Sequence, residues 1–246
     1  MGPLLTVVMP AYNEEGNIEE AVEDVRRDVL AAVPGSTLIV VDDGSRDGTG
    51  AILDRLVAGD PRIRVIHKPN GGHGDALRVG LDACDSEHIL LLDSDRQMAL
   101  EDFAAFWDLA RAHDAAFGVR VARDDPAARL VLTRVVRAAI GLLFGVNIRD
   151  ANVPFKVIRR EVWTRARPLI PPETLAPSLF LAIFARKRGL SVVEREVPHR
   201  RRRSGVASIR HWKLFRFCCR GLSQMIAFRR KLARGEDPAA RPEVIG

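Results

Sequence analysis

The feature that most limits what this 246-residue chain can fold into is an alternation. Over its first 120 residues, short apolar runs take turns with amphipathic segments of helical period. Leu5–Met9, Thr37–Val41, Ile63–Ile66, His88–Leu92 and Ala115–Val119 read as strands, and 17–33, 49–57, 74–83 and 100–112 read as the helices between them. Asn17, with Glu20 three residues on, has the form of a capping box and marks the first helix start. Strands that are apolar throughout have both faces covered, and strands joined through helices run parallel. The pattern therefore predicts an α/β fold, a Rossmann-like, mainly parallel sheet with helices on both faces.

In such sheets ligands bind beyond the carboxyl ends of the strands. Four of those ends carry polar or glycine-rich turns: Pro10-Ala-Tyr-Asn-Glu14, Asp42-Asp-Gly-Ser45, Asn70-Gly-Gly-His-Gly74 and Asp93-Ser-Asp-Arg-Gln97. Asp93, Asp95 and Gln97 alternate along an extended stretch, so all three can turn toward one ligand. Hard oxygen donors suit Mg²⁺ or Mn²⁺, which keep waters and share a diphosphate with the protein. A plainer reading competes at each turn, since acids after a strand can simply cap the next helix and Asp and Gly favour turns. Asn70–Gly74 offers backbone amides to an anion at a helix start, but fits neither GxGxxG nor a P-loop.

Beyond Arg120 the pattern changes to an amphipathic helix over 127–146, a β-like segment Val153–Ile158, a helix over 176–188, a strand Ser191–Val197, a basic loop His199–Ser204 and a helix over 208–232. The expected organisation is a catalytic domain over 1–207, a basic amphipathic helix over 208–234 and a loose tail over 235–246. The net charge of +6 is unevenly spread. Arg195–Arg234 holds thirteen Lys or Arg against one acid, a net +12, which leaves −6 on the rest. That polarity points to a polyanion or a membrane surface as partner of the C-terminal part. The three cysteines have no metal-site spacing, which favours a reducing, cytoplasmic setting. The N-terminal apolar run is too short for a signal peptide. Arg134 and Arg137 interrupt the longest apolar stretch, below the ~20 residues a spanning helix needs. His67, His88 and His113 read as turn or surface histidines.

Taken together, Val8-Met-Pro-Ala-Tyr-Asn-Glu-Glu15, Val40-Val-Asp-Asp-Gly-Ser-Arg-Asp-Gly-Thr49, Asn70-Gly-Gly-His-Gly-Asp-Ala-Leu77 and Leu90-Leu-Leu-Asp-Ser-Asp-Arg-Gln97 resemble glycosyltransferase family 2, with its GT-A fold. The later segments resemble the dolichol- and polyprenyl-phosphate mannose synthase branch: Asp150-Ala-Asn-Val-Pro-Phe-Lys156, Arg120 at a strand end, Arg129 and Thr133 four apart, and Arg202 to Gly205. Departures are His73 for the usual lysine, Ser208 one residue farther than expected, and Val153-Pro154 before Phe155.

The resemblance implies a metal-dependent inverting glycosyltransferase using a GDP-, UDP- or dTDP-sugar. Asp93, Asp95 and Gln97 would hold Mg²⁺ or Mn²⁺ on the donor diphosphate, while Pro10, Tyr12, Glu14, Asp42 and Asp43 surround base and ribose. Arg120, Arg129, Thr133 and Arg202 would place a polyprenyl phosphate, with Asp93, Asp95, Arg120 and Arg202 at the reacting centre. The C-terminal helices would rest on the inner face of a membrane as a peripheral contact. The alternative is the same donor with a soluble hydroxyl acceptor, for which Asp150 or Glu173 would be the base. A nucleic-acid binder built on the basic segment leaves the four turns without a purpose, so nucleic acid is not the expected partner.

Overall fold

The computed structural model describes residues 3–121, 127–174, 176–200 and 211–234, with the helix backbone alone for 127–132 and 211–219. Seven strands, β1 (Leu5–Ala11), β2 (Thr37–Asp42), β3 (Ile63–His67), β4 (His88–Leu92), β5 (Ala115–Val121), β6 (Phe155–Arg159) and β7 (Val192–Pro198), form one sheet. Helices α1 (Ile18–Val25), α2 (Thr49–Gly59), α3 (His73–Asp82), α4 (Phe103–Ala110), α5 (Ala127–Phe144), α6 (Arg160–Ala166), α7 (Pro177–Lys187) and α8 (His211–Ala233) cover it.

The strand order is β3-β2-β1-β4-β6-β5-β7. All neighbours run parallel except β6, which is antiparallel to both β4 and β5. The chain winds outward from β1 to β3 and then crosses back to β4 on the other side. That makes the β1/β4 boundary the switch point where such sheets open a crevice.

Two side-chain sets explain why the strands read as continuous apolar runs. Val8, Ile39, Val41, Ile89 and Leu91 pack with α3, α7 and the second half of α8, whereas Val7, Met9, Leu38, Val40, Leu90 and Leu92 pack with α1, α2 and α4. Gly80 lets α3 press onto the first face, since a β-carbon there would collide with Val8 Cγ1. His88, expected near a turn or the surface, is instead buried at 2% exposure, its ring edge-on to Trp107 at 5.1 Å.

The α6 helix was not expected, because its seven residues follow β6 without a break. The first helix also departs from expectation. Its α-helical part ends at Val25 and continues as a π-helical turn over Arg26–Leu30. Where α8 is described, it belongs to the same body as the sheet. Phe228 is fully buried against Phe144 and Phe180, at 6.1 and 5.0 Å between ring centres, beside Met225 and Leu232. The 207/208 boundary lies outside the described residues.

Candidate active site

The turns after β1, β2 and β4 and the start of α3 line one open cleft of about 420 Å³. Its walls include Pro10, Tyr12 and Glu14 from the first turn, Asp43 from the second, and Asp93 and Asp95 from the turn after β4. Six of the residues expected around the donor therefore meet in one place. Asp42 and Gln97 lie off the lining.

Local geometry explains the shape. The first two turns are laced together: Asn13 N–H donates to Ser45 Oγ at 3.0 Å, Arg46 N–H to Asn13 Oδ1 at 2.8 Å, Glu14 N–H to Thr49 Oγ1 at 2.8 Å and Gly48 N–H to Glu15 Oε2 at 2.7 Å. Gly44 turns back at φ +71, with no room for a β-carbon against the Asn70 amide. In the fourth turn Arg96 takes φ +59, a conformation costing on the order of 1 kcal/mol for a non-glycine residue. Ion pairs to Glu20 and, at 2.7 Å, Asp24 of α1 hold it there.

Asp43, besides lining the cleft, holds the glycine-rich loop in place. Its buried carboxylate accepts from the Gly71 and Gly72 amides at 2.8 and 2.7 Å and from Lys68 Nζ at 2.5 Å. The anion held by this glycine-rich loop is thus a side chain of the protein itself. Burial lowers the Lys68 pKa, but the hydrogen bonds it donates to Asp43 and Asp75 more than offset this and raise it above the ordinary lysine value. Asp42 accepts from Ser45 N–H at 3.0 Å and pairs with His67 Nδ1 at 2.9 Å. Burial raises its pKa, but these hydrogen bonds outweigh it and keep the carboxylate below its usual range. Lys68, two residues before the Asn70–Gly74 loop, was missed in the sequence, although a base beside two strand-end acids was a signal for it.

At the other end of the cleft, His73 Nε2 lies 2.9 Å from Asp93 Oδ1. Burial pushes the His73 pKa down, while the carboxylates of Asp93, Asp95 and Asp43 push it up by more. Asp95 Oδ1 accepts from the Gln97 amide at 3.1 Å, and the Gln97 side chain donates to Arg200 O at 3.4 Å. No group of three acidic, histidine or cysteine ligands occurs among the described residues. Two carboxylates fit Mg²⁺ or Mn²⁺ provided that waters and a diphosphate complete the shell, which is how these ions commonly bind.

The residues expected at an acceptor are spread more widely. Arg120 makes a two-pronged fork on Asp150, with Nε and Nη2 at 2.7 and 2.9 Å from its oxygens, both side chains almost fully buried. Thr133 is half-buried on α5. The Arg129 side chain and Arg202 lie outside the described residues. Glu173 is exposed and pairs with Arg220 of α8 at 3.0 Å.

A mostly parallel wound α/β sheet with paired carboxylates at its switch point is the architecture of the GT-A class. More particularly, residues 6–165 match the Glycosyl transferase family 2 model, and the chain belongs to that family. It is 32% identical over 215 residues to a polyprenol monophosphomannose synthase of Mycolicibacterium smegmatis, covering 82% of this chain and 80% of that one. An undecaprenyl-phosphate 4-deoxy-4-formamido-L-arabinose transferase of Pseudomonas aeruginosa is 28% identical, over 65% of this chain and 48% of its own. Among solved structures, glucosyl-3-phosphoglycerate synthase of Mycobacterium tuberculosis, in complex with Mn²⁺, UDP and phosphoglyceric acid, superposes with a TM-score of 0.69 at 20% identity, covering 93% of this chain and 79% of that one. The mannosyltransferase PcManGT of Pyrobaculum calidifontis, in complex with GDP-Man and Mn²⁺, gives 0.61 at 20% identity, over 95% and 65%. The chain is a glycosyltransferase with a GT-A fold.

Proposed function

We propose that the protein moves a glycosyl group from a nucleoside diphosphate sugar to a polyprenyl phosphate, with inversion at the anomeric carbon. The observation that carries the donor half is the meeting of Tyr12, Glu14, Asp93 and Asp95 in one cleft. The half-exposed Tyr12 ring and Pro10 would face the base, and Asp93 and Asp95, on the same cleft, would face the diphosphate. Asp93, Asp95 and Gln97 would hold Mg²⁺ or Mn²⁺, which when bound offsets the charge growing on the departing diphosphate. His73 sits beside Asp93, where its protonated form would act on the same leaving group.

The acceptor half is supported by the likeness to polyprenol monophosphomannose synthase. An acceptor phosphate oxygen attacks the anomeric carbon as the bond from that carbon to the diphosphate oxygen breaks, and the nucleoside diphosphate leaves with the electron pair. A phosphate anion needs placing more than deprotonating. Arg120, oriented by Asp150, with Thr133, Arg129 and Arg202, is proposed for that task. A hydroxyl acceptor would need a base within hydrogen-bond reach. Asp150 is engaged by Arg120 and Glu173 lies on the surface, so neither is placed for that work.

No helix of the described residues is long and apolar enough to cross a membrane. The packed pair α5–α8 nevertheless exposes Val135, Leu142, Leu222 and Ile226, with exposed Arg134, Arg137, Arg229 and Arg230 on the same helices. Apolar and cationic side chains together fit an anionic lipid surface, where the acceptor's isoprenoid tail resides. The test is incubation with radiolabelled UDP- and GDP-sugars and undecaprenyl phosphate in vesicles. Label in the organic phase is the expected result, and label found only in water-soluble products overturns the lipid acceptor.

A further inference from the structure

Two non-glycine residues among those described have left-handed backbone, Asn13 at φ +53 and Arg96 at φ +59. They stand in the turns after β1 and β4, on the two rims of the crevice at the switch point. Asparagine enters that region readily, whereas arginine enters it at a cost that glycine would not meet. At position 96 the backbone alone therefore favours glycine, and the contacts of the arginine side chain offset the strain. Strain of this kind collects at sites whose geometry the surrounding structure imposes.

The Arg96 side chain crosses from one rim to the other. It pairs with Glu20 and, through Nε at 2.7 Å, with Asp24, both on α1, and none of the three is among the residues lining the cleft. Asp24 is held in turn by Arg27 Nη2 at 3.0 Å. The Arg96 and Asp24 side chains are only 20% and 13% exposed, so salt screens this pair weakly. The start of α1 is continuous with the turn that carries Tyr12 and Glu14, since Ile18 N–H donates to Glu14 O at 2.8 Å. At the other end, Asp95 Oδ1 accepts from the Gln97 amide across residue 96, so the backbone angle at 96 sets whether that amide reaches the carboxylate. The far side of the turn is tied to the chain after β7, with Arg200 N–H donating to Gln97 O at 2.8 Å. Arg96 supplies the hold on the β1 side.

We propose that Arg96 is a positioning residue: anchored on Glu20 and Asp24, it straps the turn after β4 to α1 and so fixes Asp95 at the distance from the β1 turn that a cation-bound diphosphate requires. The assignment rests on the donor reading of the cleft. Arg96 acts through Asp95 and not by contact with the ligand. Groups that orient a metal ligand from behind are commonly worth about tenfold to a hundredfold in metal affinity, which sets the size of the expected effect.

Calorimetry of UDP and GDP, with Mn²⁺ and with chelator, gives for each protein the factor by which Mn²⁺ strengthens binding. Arg96→Gly, which relieves the strained backbone while cutting the strap, should reduce that factor by about tenfold to a hundredfold and leave affinity in chelator within about twofold of wild type. Glu20→Ala with Asp24→Ala, two changes on α1 outside the cleft, cuts the same strap from its other end and should reduce the factor by a similar amount. Hydrogen exchange of the metal-free proteins supplies a readout without the cation: amides of residues 93–98 should exchange at least about fivefold faster in both variants, with those of β1 and β2 unchanged. If wild type binds neither diphosphate in a Mn²⁺-dependent way, the donor reading fails and takes this proposal with it. If wild type shows that dependence and both variants keep its full factor, the strap alone is overturned. Equal losses with Mn²⁺ and with chelator overturn it as well, because they mark a general disturbance of the cleft.

Discussion

At the scale of single residues, Asp43 shows how a site is shaped by a group that need not touch substrate. Its carboxylate gathers two loop amides and Lys68, so the loop's position depends on one side chain. Asp43→Ala leaves the Gly71 and Gly72 amides without their acceptor and Lys68 with Asp75 and Pro69 O alone, and should cost about 1–3 kcal/mol in unfolding free energy. Denaturant unfolding measures this, and nucleoside diphosphate affinity should fall with it. His88 gives a pH signature far from the site. Its ring nitrogens have no hydrogen-bond partner among the described residues, and burial holds its pKa below 6.5. The unfolded chain takes up a proton near the ordinary pKa and the folded one resists it, so stability is full above 6.5 and is lost as pH falls below it. His88→Phe keeps a ring against Trp107. Its stability advantage over wild type should grow as pH falls from about 8 to about 5 in thermal unfolding. That Asp93, Asp95, Tyr12, Glu14 and Asp43 line one cleft was legible in the sequence, because a strand end fixes where such residues lie. The bonds of Asp43 to its own loop and the burial of His88 were not, because they depend on neighbours distant in sequence.

At the scale of elements, the close approach of α3 to the sheet sets where His73 stands. Gly80→Val drives side-chain atoms into Val8 and Val41 and should cost about 1–3 kcal/mol, read as a lowered melting temperature. The order of strands and helices through β5 was legible from period alone, as alternate side chains of each strand serve opposite faces. The antiparallel sense of β6 was not, since direction depends on the path of the intervening chain. The α8 stripe divides: Met225, Phe228 and Leu232 pack inward, while Leu222 and Ile226 remain exposed. Leu222→Glu with Ile226→Glu should therefore leave the melting temperature nearly unchanged. Sedimentation with anionic vesicles should show binding weakened at least about tenfold by the loss of two apolar contacts and the gain of two repelled charges. Unchanged sedimentation would exclude this face from membrane contact.

For the whole molecule, the winding of the chain and the chemistry of the cleft meet at one place. The strand order reverses between β1 and β4, and the residues able to hold a cation and a nucleotide occupy the turns on either side. The body carries the negative charge and the C-terminal segment the positive charge, a polarity suited to a catalytic unit resting on an anionic surface. All of this depends on Asp93 and Asp95 acting as a cation site for the donor diphosphate. The most direct test is calorimetric titration of UDP and GDP, with Mn²⁺ and with chelator, into wild type and Asp95→Asn. The account predicts Mn²⁺-dependent binding of at least one diphosphate to wild type, lost by at least about a hundredfold in a normally folded Asp95→Asn. Equal affinity in the two proteins with Mn²⁺ present would contradict it.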